Sequence, residues 1–286
     1  MARSAALSYA YGASSTPLIG LTIPDYLDLI VSRFPDNDAI VDVPTGRRWS
    51  YAQLQADCRR VAKSLMQLGI ARGDRVAIWA TNHPEWVLVQ FGTAMAGAVM
   101  VNINPAYRTH ELEHALKDSG ASALLLIERF KTSDYVAMLT SVCPEVSESA
   151  PGAMHSAKLP LLRTVALMGP QQHPGMYTWE QFLALGRDVP DEELAARQAS
   201  LDIDDVINIQ YTSGTTGLPK GASLTHHNIL NNGFFVGEGM LFTERDRLCI
   251  PVPFYHCFGM VMSNITCMTH GATMVLPAES FDALAT

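Results

Sequence analysis

Short apolar, β-branched segments alternate with longer amphipathic segments between residues 75 and 127, and this alternation constrains the fold more than any other feature of the sequence. It predicts strands at residues 75–80, 98–102 and 123–127, with helices at 84–96 and 109–119 between them. Successive strands that are separated by helices are typical of a mostly parallel sheet covered by helices. The chain is therefore predicted to be an α/β protein.

The segments on either side fit the same fold class. A strand pair is expected around the turn at Pro44–Gly46, followed by a helix from its cap Ser50 to Gly69. Residues 143–160 are rich in Pro, Ser, Gly and Glu and predict a surface loop, while Phe281–Thr286 predicts the start of a helix. With 286 residues, of which 48% are hydrophobic, the chain is long enough for one large or two smaller packed domains and is not of the disordered class.

Charge and cysteine usage narrow the class of protein. The net charge of −8 disfavours nucleic-acid binding, because an acidic surface repels phosphate backbones. Five cysteines without a CxxC pair are expected to be reduced thiols, mostly in the core of a cytoplasmic protein.

No apolar run reaches the ~20 residues that span a bilayer, and the segment before Pro24 has no signal-peptide core. The sequence leaves open whether the protein contacts a membrane surface and whether it forms a homodimer.

The segment Tyr211–Gly221 has a composition suited to binding a polyphosphate. It contains four hydroxyl side chains, three glycines and a lysine, namely Thr212, Ser213, Thr215, Thr216, Gly214, Gly217, Gly221 and Lys220. Glycines let the backbone approach an anion, and successive N–H groups with hydroxyls and a lysine can bind it. A merely flexible turn is the alternative, and the length of the ordered string argues against it.

This loop differs from a Walker A loop, because Pro219 precedes the lysine and Gly221 follows it. Only three residues separate Gly221 from a helix cap at Thr225, too few for a helix. The expected order is therefore strand, loop, strand and then helix.

The string Tyr-Thr-Ser-Gly-Thr-Thr-Gly-Leu-Pro-Lys-Gly at 211–221 resembles the signature loop of the AMP-forming acyl-CoA synthetases, within the adenylate-forming superfamily. Asn104–Arg108, Thr225–Ile229 and Pro253–Gly259 also stand in the order of that family. The likeness spans nearly all of the chain and is greatest to medium- and long-chain fatty acyl-CoA ligases. It implies the helix-covered, mostly parallel sheets of the N-terminal domain of these enzymes.

The resemblance implies a two-step reaction in which a fatty acid and ATP give acyl-AMP, and CoA then displaces AMP. Mg²⁺ is expected, since one lysine cannot neutralise the charge of ATP. Thr212 is implied as a contact of that metal, Thr215–Gly217 as holding the β- and γ-phosphates, and Lys220 as the catalytic lysine that stabilises pyrophosphate. The implied nucleotide-binding residues are Thr212, Ser213, Gly214, Thr215, Thr216, Gly217, Leu218, Pro219 and Lys220.

An aromatic segment around His256 carries the second half of the predicted site. Candidates for the wall of an apolar acyl tunnel are Phe254, Tyr255, Phe258 and Gly259. In the resembled family, the histidine equivalent to His256 lies near the substrate carboxyl. The resemblance therefore makes His256 a second catalytic candidate. A satisfied core histidine is the alternative. Amino-acid-activating relatives have an aspartate here, whereas this chain has no acidic residue between Pro251 and Ala278. The expected substrate is thus a carboxylic acid without an amino group; an aryl or short-chain acid is the alternative to a fatty acid.

The motif His110-Glu-Leu-Glu-His114 matches the zinc-protease pattern H-E-x-x-H. We interpret it as an ordinary amphipathic helix with Leu112 and Leu116 facing the core, because the sequence offers no convincing third ligand.

Elements that the resembled family carries further along its chain have no counterpart here. They include a Glu for Mg²⁺, an Asp for the ribose and a mobile C-terminal domain with an adenylation lysine. The sequence thus predicts that residues 1–286 are the N-terminal part of an AMP-binding domain and are inactive in adenylation alone. A non-catalytic nucleotide- or lipid-binding module is the alternative.

Overall fold

A computed structural model describes residues 15–212 and 218–286 of the chain. The strands are β1 Asp38–Asp42, β2 Arg48–Ser50, β3 Arg75–Trp79, β4 Val99–Asn102, β5 Ala123–Leu126, β6 Arg129–Phe130, β7 Ser133–Asp134, β8 Thr164–Leu167, β9 Val206–Thr212, β10 Lys220–Thr225, β11 Arg247–Cys249 and β12 Thr273–Leu276. The helices are α1 Ile23–Arg33, α2 Tyr51–Gln67, α3 Pro84–Ala96, α4 Thr109–Ser119, α5 Tyr135–Val142, α6 Glu145–Glu148, α7 Trp179–Leu185, α8 Asp191–Ala199, α9 His226–Met240, α10 Cys257–Gly259 and α11 Thr266–His270.

The larger sheet has six strands in the order β10-β9-β4-β3-β5-β8. All neighbouring strands are parallel except the edge pair β9 and β10, which is antiparallel. The central strands β3, β4 and β5 are almost entirely buried, as expected where helices cover both faces of a sheet. The predicted α/β class and the mostly parallel sheet are confirmed.

The smaller sheet joins segments that are far apart in the sequence. Its order is β11-β12-β1-β2, with β2 antiparallel and the others parallel. Ile40 pairs with Met274, so strands near the two ends of the described chain lie in one sheet. A separate two-stranded hairpin is formed by β6 and β7.

Helix ends follow the signals in the sequence. Ser50 caps α2 in a capping box with Gln53, and Gly97 ends α3 in the left-handed region. Helix α3 is buried on every side, which explains why its sequence is apolar without a polar face. The helix predicted at 84–96 and the strand predicted at 98–102 are thus confirmed, and both are buried.

Phe281–Thr286 forms a single hydrogen-bonded turn, in which the Thr286 N–H donates to the carbonyl of Asp282 four residues earlier. The side chain of Asp282 accepts the backbone N–H groups of Leu284 and Ala285, as a residue at the start of a helix does. One expectation requires correction. The stretch 143–160 includes the one-turn helix α6 and buries the side chains of Val146, Met154 and Leu159, so it is not purely a surface loop.

The helices α10 and α11 are joined by a π-helical segment at Met260–Ile265. The side chain of Gln90 donates to the carbonyl of Met260, and the Ser263 hydroxyl donates to the carbonyl of Phe258. These bonds occupy carbonyls near the site where the helix widens.

All five cysteines are free thiols, and three of them are buried, as expected. Within residues 15–212 and 218–286, none of the helices has both the length and the apolar content that crossing a bilayer requires.

Candidate functional site

The strands β9 and β10 form the two stems of the predicted phosphate loop. They pair antiparallel, and Thr212 stands directly opposite Lys220 at the mouth of the loop. The hydroxyl of Thr212 lies 3.5 Å from the carbonyl oxygen of Lys220, and both residues are exposed. Helix α9 follows β10 at once, with Thr225 as its cap. The expected strands on both sides of residues 213–217 and the helix that follows the second strand are confirmed.

Five residues predicted to bind phosphate, Ser213, Gly214, Thr215, Thr216 and Gly217, lie outside the described residues. On the far side of them, Leu218 is exposed and Pro219 is half-buried. The two stems lie at the β9–β10 edge of the larger sheet.

Helix α4 lies against both stems. The His114 imidazole donates from Nε2 to the carbonyl oxygen of Pro219 at 3.1 Å, since a carbonyl can only accept. The Tyr211 hydroxyl donates to the Asp118 carboxylate at 2.8 Å and lies 3.2 Å from the carbonyl of Ala115. Burial, and then the Asp118 carboxylate, raise the pKa of Tyr211, so its phenol stays protonated.

The motif at 110–114 is part of this helix. Leu112 and Leu116 are buried in the core, which confirms the amphipathic helix. The Glu111 carboxylate accepts the Arg108 N–H at the helix start, and His114 contacts Pro219. Among the residues that the structure describes, no three His, Cys, Asp or Glu side chains are grouped to hold a metal.

The aromatic segment after β11 divides its side chains between the core and the surface. Phe254 is buried, with its ring 5.4 Å from that of Trp86. Tyr255 is half-buried, whereas His256 and Phe258 are exposed. His256 caps α10, its Nδ1 accepting the N–H of Phe258 at 3.1 Å. The imidazole Nε2 therefore carries the proton of the neutral ring.

Gly259 permits a close approach of two backbone segments. A Cβ atom at this position would stand 2.7 Å from the carbonyl carbon of Pro253 and 2.9 Å from the Cα of Phe254. The role of Gly259 in this structure is therefore to let α10 begin directly against Pro253 and Phe254.

Two asparagines that sequence reasoning missed hold the aromatic segment to the larger sheet. Asn82, after β3, donates to the carbonyl of Val252 and accepts the N–H of Phe254, at 2.9 and 2.8 Å. Asn102, at the end of β4, donates to the carbonyl of Tyr255 at 3.3 Å. Their only signal in the sequence is a polar residue at the end of an apolar strand.

A cleft of about 660 Å³ opens beside this segment. Its walls are residues that follow the carboxyl ends of β3, β4, β5, β11 and β12, among them Asn82, Pro105, Thr132, Tyr255 and Ser280. Open α/β sheets bind ligands in the crevice outside the carboxyl ends of their strands. The position of the cleft thus agrees with a substrate site, and Tyr255 is the predicted tunnel residue that lines it.

Charged side chains of both signs also line the cleft. Arg108 and Lys131 bring positive charge, and Lys131 stands in the left-handed region at the tip of the β6–β7 hairpin. Glu279 brings negative charge, with its carboxylate 3.6 Å from Nε2 of His83. The contact with His83 lowers the pKa of Glu279, which stays ionised at neutral pH.

The sequence profile of the family described as AMP-binding enzyme matches residues 27–285. The chain belongs to this family. A relative from Bacillus subtilis (strain 168), YngI, is 46% identical over 265 residues and is named, provisionally, an acyl-CoA synthetase. A zebrafish (Danio rerio) relative, the mitochondrial medium-chain acyl-CoA ligase ACSF2, is 41% identical over 280 residues.

The N-terminal domain of FACL13 from Mycobacterium tuberculosis has a similar fold, with a TM-score of 0.71 at 26% identity. This similarity covers 92% of the chain and 58% of that domain structure. The chain spans about half the length of the curated relatives it matches: 93% of it aligns with 48% of YngI, and 97% of it with 46% of the zebrafish ligase.

Proposed function

We propose that the chain forms the ATP-binding part of an AMP-forming acid–thiol ligase that activates a fatty acid. A carboxylate oxygen of the acid attacks the α-phosphorus of ATP, and pyrophosphate leaves to give acyl-AMP. The thiol of CoA then attacks the acyl carbon, its proton is lost, and AMP leaves as the thioester forms. The family membership and the names of YngI and ACSF2 support this reaction class.

The observation that carries the proposal is the pairing of Thr212 with Lys220 at the mouth of the loop. Residues directly opposite in an antiparallel pair point to the same face. The side chains of Thr212 and Lys220 thus extend from the same face of the hairpin, where residues 213–219 begin and end. We assign Lys220 to the pyrophosphate as it leaves, and Thr215–Gly217 to the β- and γ-phosphates.

Mg²⁺ fits this arrangement, because it is usually held by one or two protein oxygens together with phosphates and water. Thr212 is exposed at the loop mouth and would supply a hydroxyl oxygen. The bound ion would neutralise phosphate charge. Lys220 would add a positive charge beside the ion, on a flexible side chain that can adjust to the phosphates.

The fatty acid is assigned to the cleft, with its carboxylate toward His256. Tyr255 belongs to the wall of the cleft, and Phe254 stabilises that wall from the core side through Trp86. Phe258, exposed beside His256, adds apolar surface near the mouth. Glu279 was not among the predicted site residues. Its carboxylate already contacts His83 and accepts a hydrogen bond from the Thr81 hydroxyl.

The compartment is proposed to be a reducing one, either the cytoplasm or the mitochondrion that the name of ACSF2 indicates. Five free thiols, two of them reaching the surface, support this assignment.

The test measures thioester formation by the protein in the form in which its source expresses it, with ATP, CoA and acids of graded length. Fatty acids should be turned over faster than benzoate or an amino acid of similar size, since a buried ammonium group would lack a free carboxylate partner. Lys220→Ala should reduce the rate by a factor of about 10² to 10³. ATP binding without any thioester would instead favour the non-catalytic module, and a preference for benzoate or acetate would favour the aryl or short-chain alternative.

A further inference from the structure

The base of the phosphate loop receives little support from the core. Strand β10 is the edge strand of its sheet, and its first four residues are exposed. Thr212 and Leu218 are exposed as well. An exposed edge hairpin opens easily unless another element holds it.

Helix α4 is itself firmly anchored. Leu112, Ala115 and Leu116 are buried in the core, and Gly120 ends the helix in the left-handed region. The helix therefore provides a rigid surface beside the hairpin.

Two side-chain bonds join this helix to the loop, one on each stem. His114 donates to the Pro219 carbonyl on the β10 side, and Tyr211 donates to Asp118 on the β9 side. His114 and Asp118 are four residues apart and share one face of the helix. The His114 ring also meets the Tyr211 ring edge-on, with 6.3 Å between the centroids.

The hairpin leaves room for this arrangement at Gly221, which pairs with Tyr211 across the strands. A Cβ at this position would lie 2.8 Å from the side chain of Ile209 and 3.6 Å from the Tyr211 ring. The glycine thus allows the Tyr211 ring to lie over β10 and reach α4.

We propose that α4 is a brace for the phosphate loop, with His114 and Tyr211 as positioning residues that hold its two stems in the geometry for nucleotide binding. This inference rests on the proposed function for its consequence, but the brace itself can be measured without a nucleotide.

The test uses His114→Leu and Tyr211→Phe, which remove the donors while keeping most of the side-chain volume. His114→Gln restores an N–H donor on a side chain of similar reach. His110→Leu is the matched control, because His110 is an exposed histidine of the same helix. Thermal unfolding of each variant verifies that it is folded.

The first readout is amide hydrogen exchange over residues 206–225 without nucleotide. Loss of one hydrogen bond should accelerate exchange by about 3- to 10-fold in His114→Leu and Tyr211→Phe, with partial recovery in His114→Gln and no change in His110→Leu. Unchanged exchange in both donor-free variants, or an equal change in His110→Leu, would overturn the brace.

The second readout is the affinity for MgATP, which should fall by about 3- to 10-fold in the same two variants. Faster exchange with unchanged affinity would overturn the positioning role. If the unmodified chain does not bind MgATP, the proposed function fails, and the exchange result still decides whether α4 is a brace.

Discussion

The side-chain amide of Asn208 donates a hydrogen bond to the side-chain oxygen of Asn102 at 2.9 Å, in the interior of the larger sheet. Asn208 belongs to β9, which leads into the phosphate loop, and Asn102 ends β4 and donates to Tyr255 of the aromatic segment. The two parts of the candidate site are therefore joined by a buried pair of amides. Such a pair is stabilising only while every member keeps its partner.

Replacing either asparagine by leucine should destabilise the fold by about 1–3 kcal/mol, because the remaining amide would lose one of its hydrogen bonds in the buried interior. Both side chains are almost fully buried, so water cannot replace the lost bond. Urea unfolding of Asn102→Leu, Asn208→Leu and the double variant measures the coupling. Costs that simply add would show that the two amides do not depend on each other.

Gly259→Ala should destabilise the chain by about 1–3 kcal/mol, since the new methyl group would meet the backbone of Pro253 and Phe254 and neither can move easily. Gly239→Ala is the matched control. Gly239 is an exposed helical glycine with open space at its Cβ position, so alanine there should add up to about 1 kcal/mol of stability. Thermal or urea unfolding compares the two; equal effects would contradict the close approach at Gly259.

The stability of the chain should depend on pH through His226, which is completely buried and accepts the Ile23 N–H with its Nδ1. Burial lowers the pKa of His226 from 6.5 to about 4. The unfolded chain binds this proton near pH 6.5 and the folded chain only near pH 4, so the unfolded state holds more protons in between. The free energy of unfolding should thus decrease by about 3 kcal/mol in total as the pH falls from 6.5 to 4.

His226→Gln removes the titrating group and should flatten the pH dependence between pH 6.5 and 4. Urea unfolding at several pH values compares it with His110→Leu, which removes an exposed histidine of the same chain. An identical slope in the unmodified chain and His226→Gln would show that another group is responsible.

The local elements of this fold could be predicted from the sequence because their signals are local. Ser50 caps α2, Gly97 ends α3, and the three residues before Thr225 leave space for a strand only. The turn at Phe281–Thr286 begins with the capping residue Asp282, which is also a local signal.

Long-range pairings could not be predicted in the same way. Nothing near Ile40 indicates that its neighbour is Met274, and nothing near His114 indicates that it donates to Pro219. The cleft likewise combines Arg108, Lys131 and Glu279 from three separate segments. Periodicity shows which face of an element is buried, but not which element covers it.

The central claim is that residues 211–221 bind the triphosphate of ATP, and its most direct test is a titration of the chain with MgATP. The unmodified chain should bind, Lys220→Ala should bind at least about tenfold more weakly because a charged contact is lost, and Lys158→Ala should bind as the unmodified chain does, because Lys158 pairs with Glu113. Equal affinity of Lys220→Ala and the unmodified chain, or no binding by either, would contradict the account.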